Sequence, residues 1–355
     1  MTAKSAPRNG AKKRSNRAST IHDVAALAGV SSMTASRVVS GSVPVREALR
    51  EKVLAAIKEL NYRPNVAARA ARAGSVRVGI VLTNPKSSIL GEFLLGAYGE
   101  STRLGIQLLV EPAIENPGKL DALRRLVRSG VDGVILPPPL GDSAAASALL
   151  RKEKISGLAF ATAESHPTLP SVSIDDFRGA ALMTQHLIDL GHKRIAFVQG
   201  VALHSTAQRR EAGFRATMER SGLPVRSGWV VAGDFTFKSG FEAARKLLSL
   251  NPRPTAIFAA NDDMAAGVIA AAHGLDLKLP DELSVAGFDD TPIAATLWPP
   301  LTTIHQPMAT MASSAVHTIT EHIRKLRSAE PAPFVHHRME CSLMTRASTA
   351  APSDK

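Results

Sequence analysis

Residues 20–40 read TIHDVAALAGVSSMTASRVVS, and this stretch decides how the first part of the chain folds. Thr20 is a hydroxyl residue just ahead of Ile21, Val24, Ala25 and Ala28, whose spacing puts them on one side of a helix. Gly29 predicts the end of that helix, because glycine takes the left-handed conformation in which helices often stop. Ser31 caps a second predicted helix, Ser32 to Val39, with Thr34 in its first turn. Gly41, Ser42 and Pro44 read as a loop. Beyond it Val45, Leu49, Val53, Ile57 and Leu60 form one apolar stripe on a third helix. Two short helices about a turn, with a third packed on both, make a helix-turn-helix. The small hydroxyls of Ser31, Ser32, Thr34 and Ser36 suit contact with phosphates and base edges, because they do not fill a groove.

The charge agrees with that reading. Residues 1–77 hold fifteen Lys and Arg against four Asp and Glu, so nearly all of the chain's net charge of +12 lies at this end. A positive end on a near-neutral body is the electrostatic footprint of nucleic-acid binding. Residues 1–19 are polar, basic and without periodicity, and read as a disordered tail. No apolar segment follows their basic residues, so they do not read as a secretory signal. No run of about 18 apolar residues predicts a membrane span. The single cysteine, Cys341, excludes an internal disulfide framework and a cysteine metal cluster. A reducing cytoplasm, at the nucleoid, is the expected compartment.

From Val76 the texture changes to short apolar runs separated by helical stretches. Val78 to Thr83, Ile106 to Glu111, Val131 to Leu136, Ile155 to Ala161, Arg194 to Gln199, Trp229 to Ala232, Ala256 to Ala260 and Leu283 to Phe288 read as strands. The alternation predicts an α/β core with parallel sheets, whose ligands sit beyond the carboxyl ends of the strands. At those ends stand Thr83-Asn84-Pro85, Pro137-Pro138-Pro139, Asn261-Asp262-Asp263 and Asp289-Asp290-Thr291.

These residues carry a resemblance. The 20–40 stretch is similar to the headpiece of the lactose/galactose repressor (LacI/GalR) family, and LNYRPN at 60–65 resembles that family's entry to its hinge. ANDDMA at 260–265, SVAGFDDT at 284–291 and PLTTIHQ at 300–306 resemble its effector core, so the likeness spans roughly residues 20–346. The fold implied is an all-α helix-turn-helix headpiece, 20–63, then a hinge helix, 64–75, then an α/β core of the type I periplasmic-binding-protein kind, 76–346. That core has two doubly wound lobes joined by three crossovers. Lobe 1 is expected at about 76–173 and 305–333, lobe 2 at about 174–304 and 334–346, with a disordered tail at 347–355.

The resemblance implies a homodimer on a near-palindromic operator. Ser32 and Met33 occupy the positions that read base edges, and Arg37 matches an arginine able to fork onto a guanine. Thr20, Ser31, Thr34 and Ser36 are the accompanying phosphate or groove contacts. Asn65 to Ala73 matches a hinge helix that folds in the minor groove, where Arg69 fits a contact. The family's intercalating leucine is replaced by Ala71, which wedges poorly, so kinking is expected to be weaker or achieved otherwise. Propensity alone also makes this segment an Ala-rich linker helix.

In the core, Arg210 falls in QRREAGF where the family places its effector-binding arginine, suited to paired bonds with vicinal hydroxyls or a carboxylate. Asp289 matches the acid that accepts from ligand hydroxyls, Asn261 offers donor and acceptor, and Phe235 an aromatic face. Asn84 and Ser88 stand at the first strand's exit, and Pro137 replaces a polar residue of some relatives. The expected effector is a sugar or sugar derivative that releases the repressor from the operator of carbohydrate-utilisation genes, with no cofactor. A purine effector or a co-repressor is the alternative. Catalysis is not expected: no Gly-x-Ser-x-Gly, Walker loop or His-Glu-x-x-His occurs, and His336-His337 is adjacent rather than spaced for a metal. A solute-binding transport protein shares the core but lacks the basic headpiece.

Overall fold

Thr20 starts the first helix, α1 (Ile21–Ala28), with a capping box: Asp23 N donates to Thr20 Oγ1 at 3.4 Å and Thr20 N to Asp23 Oδ2 at 2.7 Å. Gly29 ends it at φ 65°, and the next helix, α2 (Ser32–Ser40), begins at once, with Thr34 N donating to Ser31 Oγ at 3.1 Å. α3 (Glu47–Glu59) completes the trio. Val24, Ala25, Ala35, Val53 and Ala56 form its small core. In this computed structural model residues 20–40, 45–60, 62, 75–84, 87–113 and 118–353 are described. The chain divides into a unit ending at Gly74 and one beginning at Ser75. The expected tail 1–19, the hinge residues Asn65, Arg69 and Ala71, and the loop at Gly41, Ser42 and Pro44 lie outside the described residues.

The second unit holds two parallel sheets. The first lobe is built on β1 (Arg77–Leu82), β2 (Gln107–Pro112), β3 (Gly133–Leu136), β4 (Ser156–Phe160) and β5 (Ser171–Ile174). Its helices are α4 (Leu90–Leu104), α5 (Lys119–Arg128) and α6 (Ala144–Glu153). The second lobe has α7 (Asp176–Asp189), β6 (Ile195–Val198), α8 (Ser205–Arg220), β7 (Val230–Val231), α9 (Phe237–Leu248), β8 (Ala256–Ala259), α10 (Asp262–His273), β9 (Ser284–Ala286) and α11 (Pro292–Thr296). The remaining elements are β10 (Thr303–His305), α12 (Met308–Arg327), β11 (His336–Met339) and β12 (Ser342–Met344). Sheet order is β11-β5-β4-β3-β1-β2 in the first lobe and β7-β6-β8-β9 in the second.

Strands covered by helices on both faces are apolar throughout, and β3, β4 and β8 follow that rule with Val134, Ile135, Leu158 and Phe258 fully buried. Phe258 meets Phe197 edge to face at 5.2 Å, and Phe197 stacks on Phe214 of α8 at 5.1 Å, which fixes α8 against the second sheet. In the first lobe α12 lies close to α4: a Cβ on Gly96 would stand 2.0 Å from Ala309 O.

The chain passes between lobes after β5, between β10 and α12, and between β11 and β12. Two expectations need correction. Residues 336–339 do not belong to the second lobe: they pair in parallel with β5, His336 opposite Ser171 and Met339 opposite Ile174. His336, His337 and Arg338 are exposed, so no apolar pattern marks this edge strand; backbone pairing makes it, with one side-chain bond between Ser171 Oγ and His336 Nδ1 at 2.9 Å. The residues after Arg346 are not disordered as far as Ser353. Ser348 is fully buried, its carbonyl accepts from Val285 N at 2.9 Å, and its hydroxyl donates to Val285 O at 2.6 Å. A segment of Ala, Ser, Thr and Pro thus packs on the second lobe through main-chain and hydroxyl bonds that its composition does not announce.

Candidate functional site

Two surfaces carry the residues singled out by sequence. In the headpiece, α2 turns Ala35 inward at 0% exposure and leaves Met33, Ser36 and Arg37 exposed. A helix brings residues three and four apart together, so these three side chains share one face. Met33 is 64% exposed, a position that no packing within the headpiece explains. Ser32 and Thr34 are half-buried. Ser31 and Thr34 also bond each other, Oγ to Oγ1 at 2.9 Å, and Thr20 Oγ1 donates to Asp23 Oδ2 at 2.7 Å. Those three hydroxyls therefore shape the two helix starts as well as standing near the exposed face.

In the core a cleft of about 950 Å³, open to solvent, lies between the lobes. Its polar centre is Arg210, only 6% exposed, which rises from α8. Arg210 Nε donates to Asp176 Oδ1 at 2.8 Å, and Nη1 donates to Ala260 O at 2.7 Å and to Asp289 Oδ1 at 3.2 Å. Gln306 Nε2 donates to the same Asp289 oxygen at 2.7 Å. Beneath the guanidinium lies the Phe288 ring, 3.7 Å from Arg210 Cζ to the centroid. A charge this deep is tolerated because the oxygens of Asp176, Ala260 and Asp289 flank it as hydrogen-bond acceptors. Burial acts against the Arg210 cation, and Asp176 and Asp289 outweigh it, holding the pKa above its ordinary value. The acids move the same way for the opposite reason: burial raises Asp176, and raises Asp289 to about 8 despite Arg210.

The loop that carries Asp289 is fastened from below. Asp262 accepts from Thr291 N at 2.7 Å and from Thr303 Oγ1 at 2.6 Å, and burial lifts its own pKa to about 6. Asp289 sits at φ 116° and Asp290 at φ 58°, backbone that non-glycine residues adopt only when their surroundings impose it. Phe235, at φ 67°, is another such residue. Its ring enters the cleft over Gly200, where a Cβ would push the ring from its place.

Asn84, Arg210, Phe235, Asn261 and Asp289 all line the cleft, as does Pro137. Asn261 is engaged at both ends of its amide, accepting from Met264 N at 3.0 Å and donating to Phe235 O at 3.2 Å. It therefore positions α10 and Phe235. Ser88 is displaced from its expected role: it is not among the lining residues, and its N–H and hydroxyl both donate to Asp263. Its neighbour Ser87 lines the cleft instead. The Ser88–Asp263 pair joins the two lobes at the mouth, and Ser205 Oγ does the same by donating to Asp142 Oδ2 at 2.7 Å.

Sequence reasoning missed Asp176, His204 and Gln306. Asp176 opens a helix directly after a crossover, and Gln306 sits on another, so neither ends a legible apolar strand. His204 lies 5.8 Å from Phe235 between ring centroids. Its Nε2 is buried without a hydrogen-bond partner among the described residues, and burial depresses its pKa to about 4, leaving a neutral imidazole that faces the cleft.

Comparison with known proteins follows the same two-part division. Residues 20–65 match the model described as bacterial regulatory proteins, lacI family, and residues 184–349 that of a periplasmic binding protein-like domain. Catabolite control protein A of Priestia megaterium is 34% identical over 332 residues, 92% of this chain and 99% of that protein. The ribose operon repressor of Escherichia coli strain K12 is 34% identical over 339 residues, 90% of this chain and 98% of that one. Among solved structures, a lac repressor dimer bound to operator and the anti-inducer ONPF superposes with a TM-score of 0.70 at 29% identity, over 94% of this chain and 100% of that chain.

Proposed function

The chain belongs to the LacI family of bacterial regulatory proteins, and from that premise we propose that it is a homodimeric repressor which a sugar-type effector releases from its operator. The observation that carries the effector half is Arg210, held between Asp176 and Asp289 at the floor of the cleft. Arg210 Nη2 and the Oδ2 atoms of both acids have no hydrogen bond among the described residues, so donor and acceptors stand together where neighbouring hydroxyls need them. The relatives named for ribose and for the lac operator support the sugar reading.

In the headpiece, Ser32, Met33 and Arg37 meet base edges in the major groove, with Ser31, Thr34 and Ser36 as phosphate or groove contacts beside them and Thr20 at the backbone. Asn65, Arg69 and Ala71 complete the interface as a hinge segment in the minor groove. Each dimer reads two half-sites, and the protein works at the chromosome in the cytoplasm. Ligand in the cleft changes how the lobes meet, at Ser88–Asp263 and Asp142–Ser205, and the hinge transmits that change to the operator. The activity is binding rather than catalysis: Asp289 is engaged by Arg210 and Gln306, and the supporting relatives are regulators.

Selecting bound duplexes from a random pool with the purified full chain tests the DNA half. Near-palindromic sites are expected, with Arg37→Ala weakening the selected site about tenfold or more. Recovery of sites without symmetry, or an Arg37→Ala protein that binds as wild type, would contradict it.

A further inference from the structure

The second lobe has another cavity, at the end of its sheet away from the cleft. The strands of that sheet run parallel, and their carboxyl ends lead to Asn261 and Asp289 in the cleft. Their amino ends lie elsewhere: Arg194 stands just before β6, Thr255 just before β8, and Glu282 two residues before β9. The four residues of β6 or β8 separate the two ends by about 13 Å. A cavity of about 1050 Å³, open to solvent, lies at the amino ends. Arg194, Arg253 and Lys278 bring cations to it, and Pro352 and Ser353 line it from the packed end of the chain.

The backbone here is satisfied, and the guanidinium of Arg194 is not. Thr255 N and Ala256 N donate to Arg194 O at 2.8 and 3.2 Å, and Ser284 N donates to Thr255 O at 3.0 Å. Arg194 is half-buried, and its Nε is shielded from solvent with no hydrogen-bond partner among the described residues. The two acids of the cavity do not answer it. Glu282 Oε2 accepts from Lys278 N at 3.0 Å, and its Oε1 lies 3.7 Å from Arg253 Nη2. Asp281 is exposed, and it is its carbonyl that accepts from Ser353 Oγ. Lys278 and Glu282 are exposed as well, so the half-buried charges of this cavity, Arg194 and Arg253, are both positive.

A donor drawn out of water needs an acceptor. A guanidinium fork suits an oxyanion, to which it gives paired, charge-assisted bonds. A second guanidinium and an ammonium on the same cavity favour a group with more than one negative charge.

We propose that this cavity is a phosphate site, separate from the effector cleft, which takes free phosphate or the phosphate group of a small metabolite on Arg194 and Arg253. Bound there, the oxyanion accepts from both guanidinium groups, with Lys278 at the rim, and joins the starts of β6 and β8 beside Pro352.

Calorimetric titration of the full chain with inorganic phosphate and with glycerol 3-phosphate, at constant ionic strength, tests the site. Saturable binding is expected, weakened about tenfold or more by Arg194→Gln and by Arg253→Gln. Arg210→Lys, which removes the fork of the cleft, is expected to bind phosphate as wild type does. Asp281→Asn is expected to tighten binding, because it removes the acid at the rim. Phosphate should raise the melting temperature of wild type and leave that of Arg194→Gln where it was. Equal or tighter binding of inorganic phosphate assigns the site to the free ion, and tighter binding of glycerol 3-phosphate assigns it to an ester. No saturable binding, binding unchanged in both arginine variants, or binding lost in Arg210→Lys would overturn the site.

Discussion

In the headpiece, Met33, Ser36 and Arg37 reach solvent from a single nine-residue helix; in the core, Asp176, Arg210 and Asp289 meet in a cleft from three separate elements. The first surface is open, basic and made of neighbours in sequence. The second is a recessed cleft, nearly balanced in charge, and exists only once two lobes have folded. The difference separates two kinds of recognition: long-range attraction to a polyanion, and short-range fit to a small polar molecule.

Salt should divide the two most sharply. A headpiece that neutralises several phosphates is expected to lose about a thousandfold in operator affinity between about 50 and 200 mM salt. Ligand affinity of the cleft should stay nearly constant over the same range, because Arg210 is already paired with Asp176 and Asp289. Fluorescence anisotropy for the duplex and calorimetry for the ligand read the two slopes. Equal slopes would erase the distinction.

Arg210→Lys comes next. A lysine keeps the charge but not the fork that reaches Asp176, Ala260 and Asp289 together, so effector affinity is expected to fall about a hundredfold. Operator affinity without effector should be unchanged. Calorimetry and duplex binding on the same preparation check both, and an unchanged effector affinity would remove Arg210 from the site.

These contrasts also explain what the sequence could disclose. Capping and periodicity within residues 20–60 are local physics, so all three headpiece helices and the α2 face were legible, and the apolar runs located most strands of the sheets. Arg210, Asp289 and Phe235, which the family resemblance pointed to, all line the cleft. Asp176 and Gln306 were not, since a crossover has no periodic signature and their value depends on what the other lobe places opposite them. Ser88 failed for a related reason: its partner Asp263 is distant in sequence, and the pairing turns it to the mouth. The edge strand β11 is held mainly by backbone pairing and the packed end around Ser348 by backbone and hydroxyl bonds to distant residues, and neither leaves an apolar pattern in the sequence.

The smallest expected effect concerns protons and belongs to the core alone. Asp289 is raised by burial from 3.8 to about 8, so the folded chain holds that proton more tightly than the unfolded chain. The stability it contributes is complete at low pH and is lost as pH climbs through about 8. Between about pH 6.5 and 8 the wild type is expected to lose on the order of 1 kcal/mol per pH unit relative to Asp289→Asn, by denaturant melts. The window lies above that of His204, whose depressed pKa of about 4 acts with the opposite sign below its ordinary value. Parallel pH profiles for the two proteins would show that Asp289 is ionised in the fold throughout.

The most direct test joins the two regions. The selected operator duplex, labelled for anisotropy, is titrated with full-length protein in the absence and in the saturating presence of whichever sugar calorimetry shows to bind the cleft. The expected result is an operator Kd raised about tenfold or more by ligand, the size of an ordinary allosteric coupling, and restored by Arg210→Lys. An operator Kd identical with and without a ligand that calorimetry shows to be bound would contradict the account.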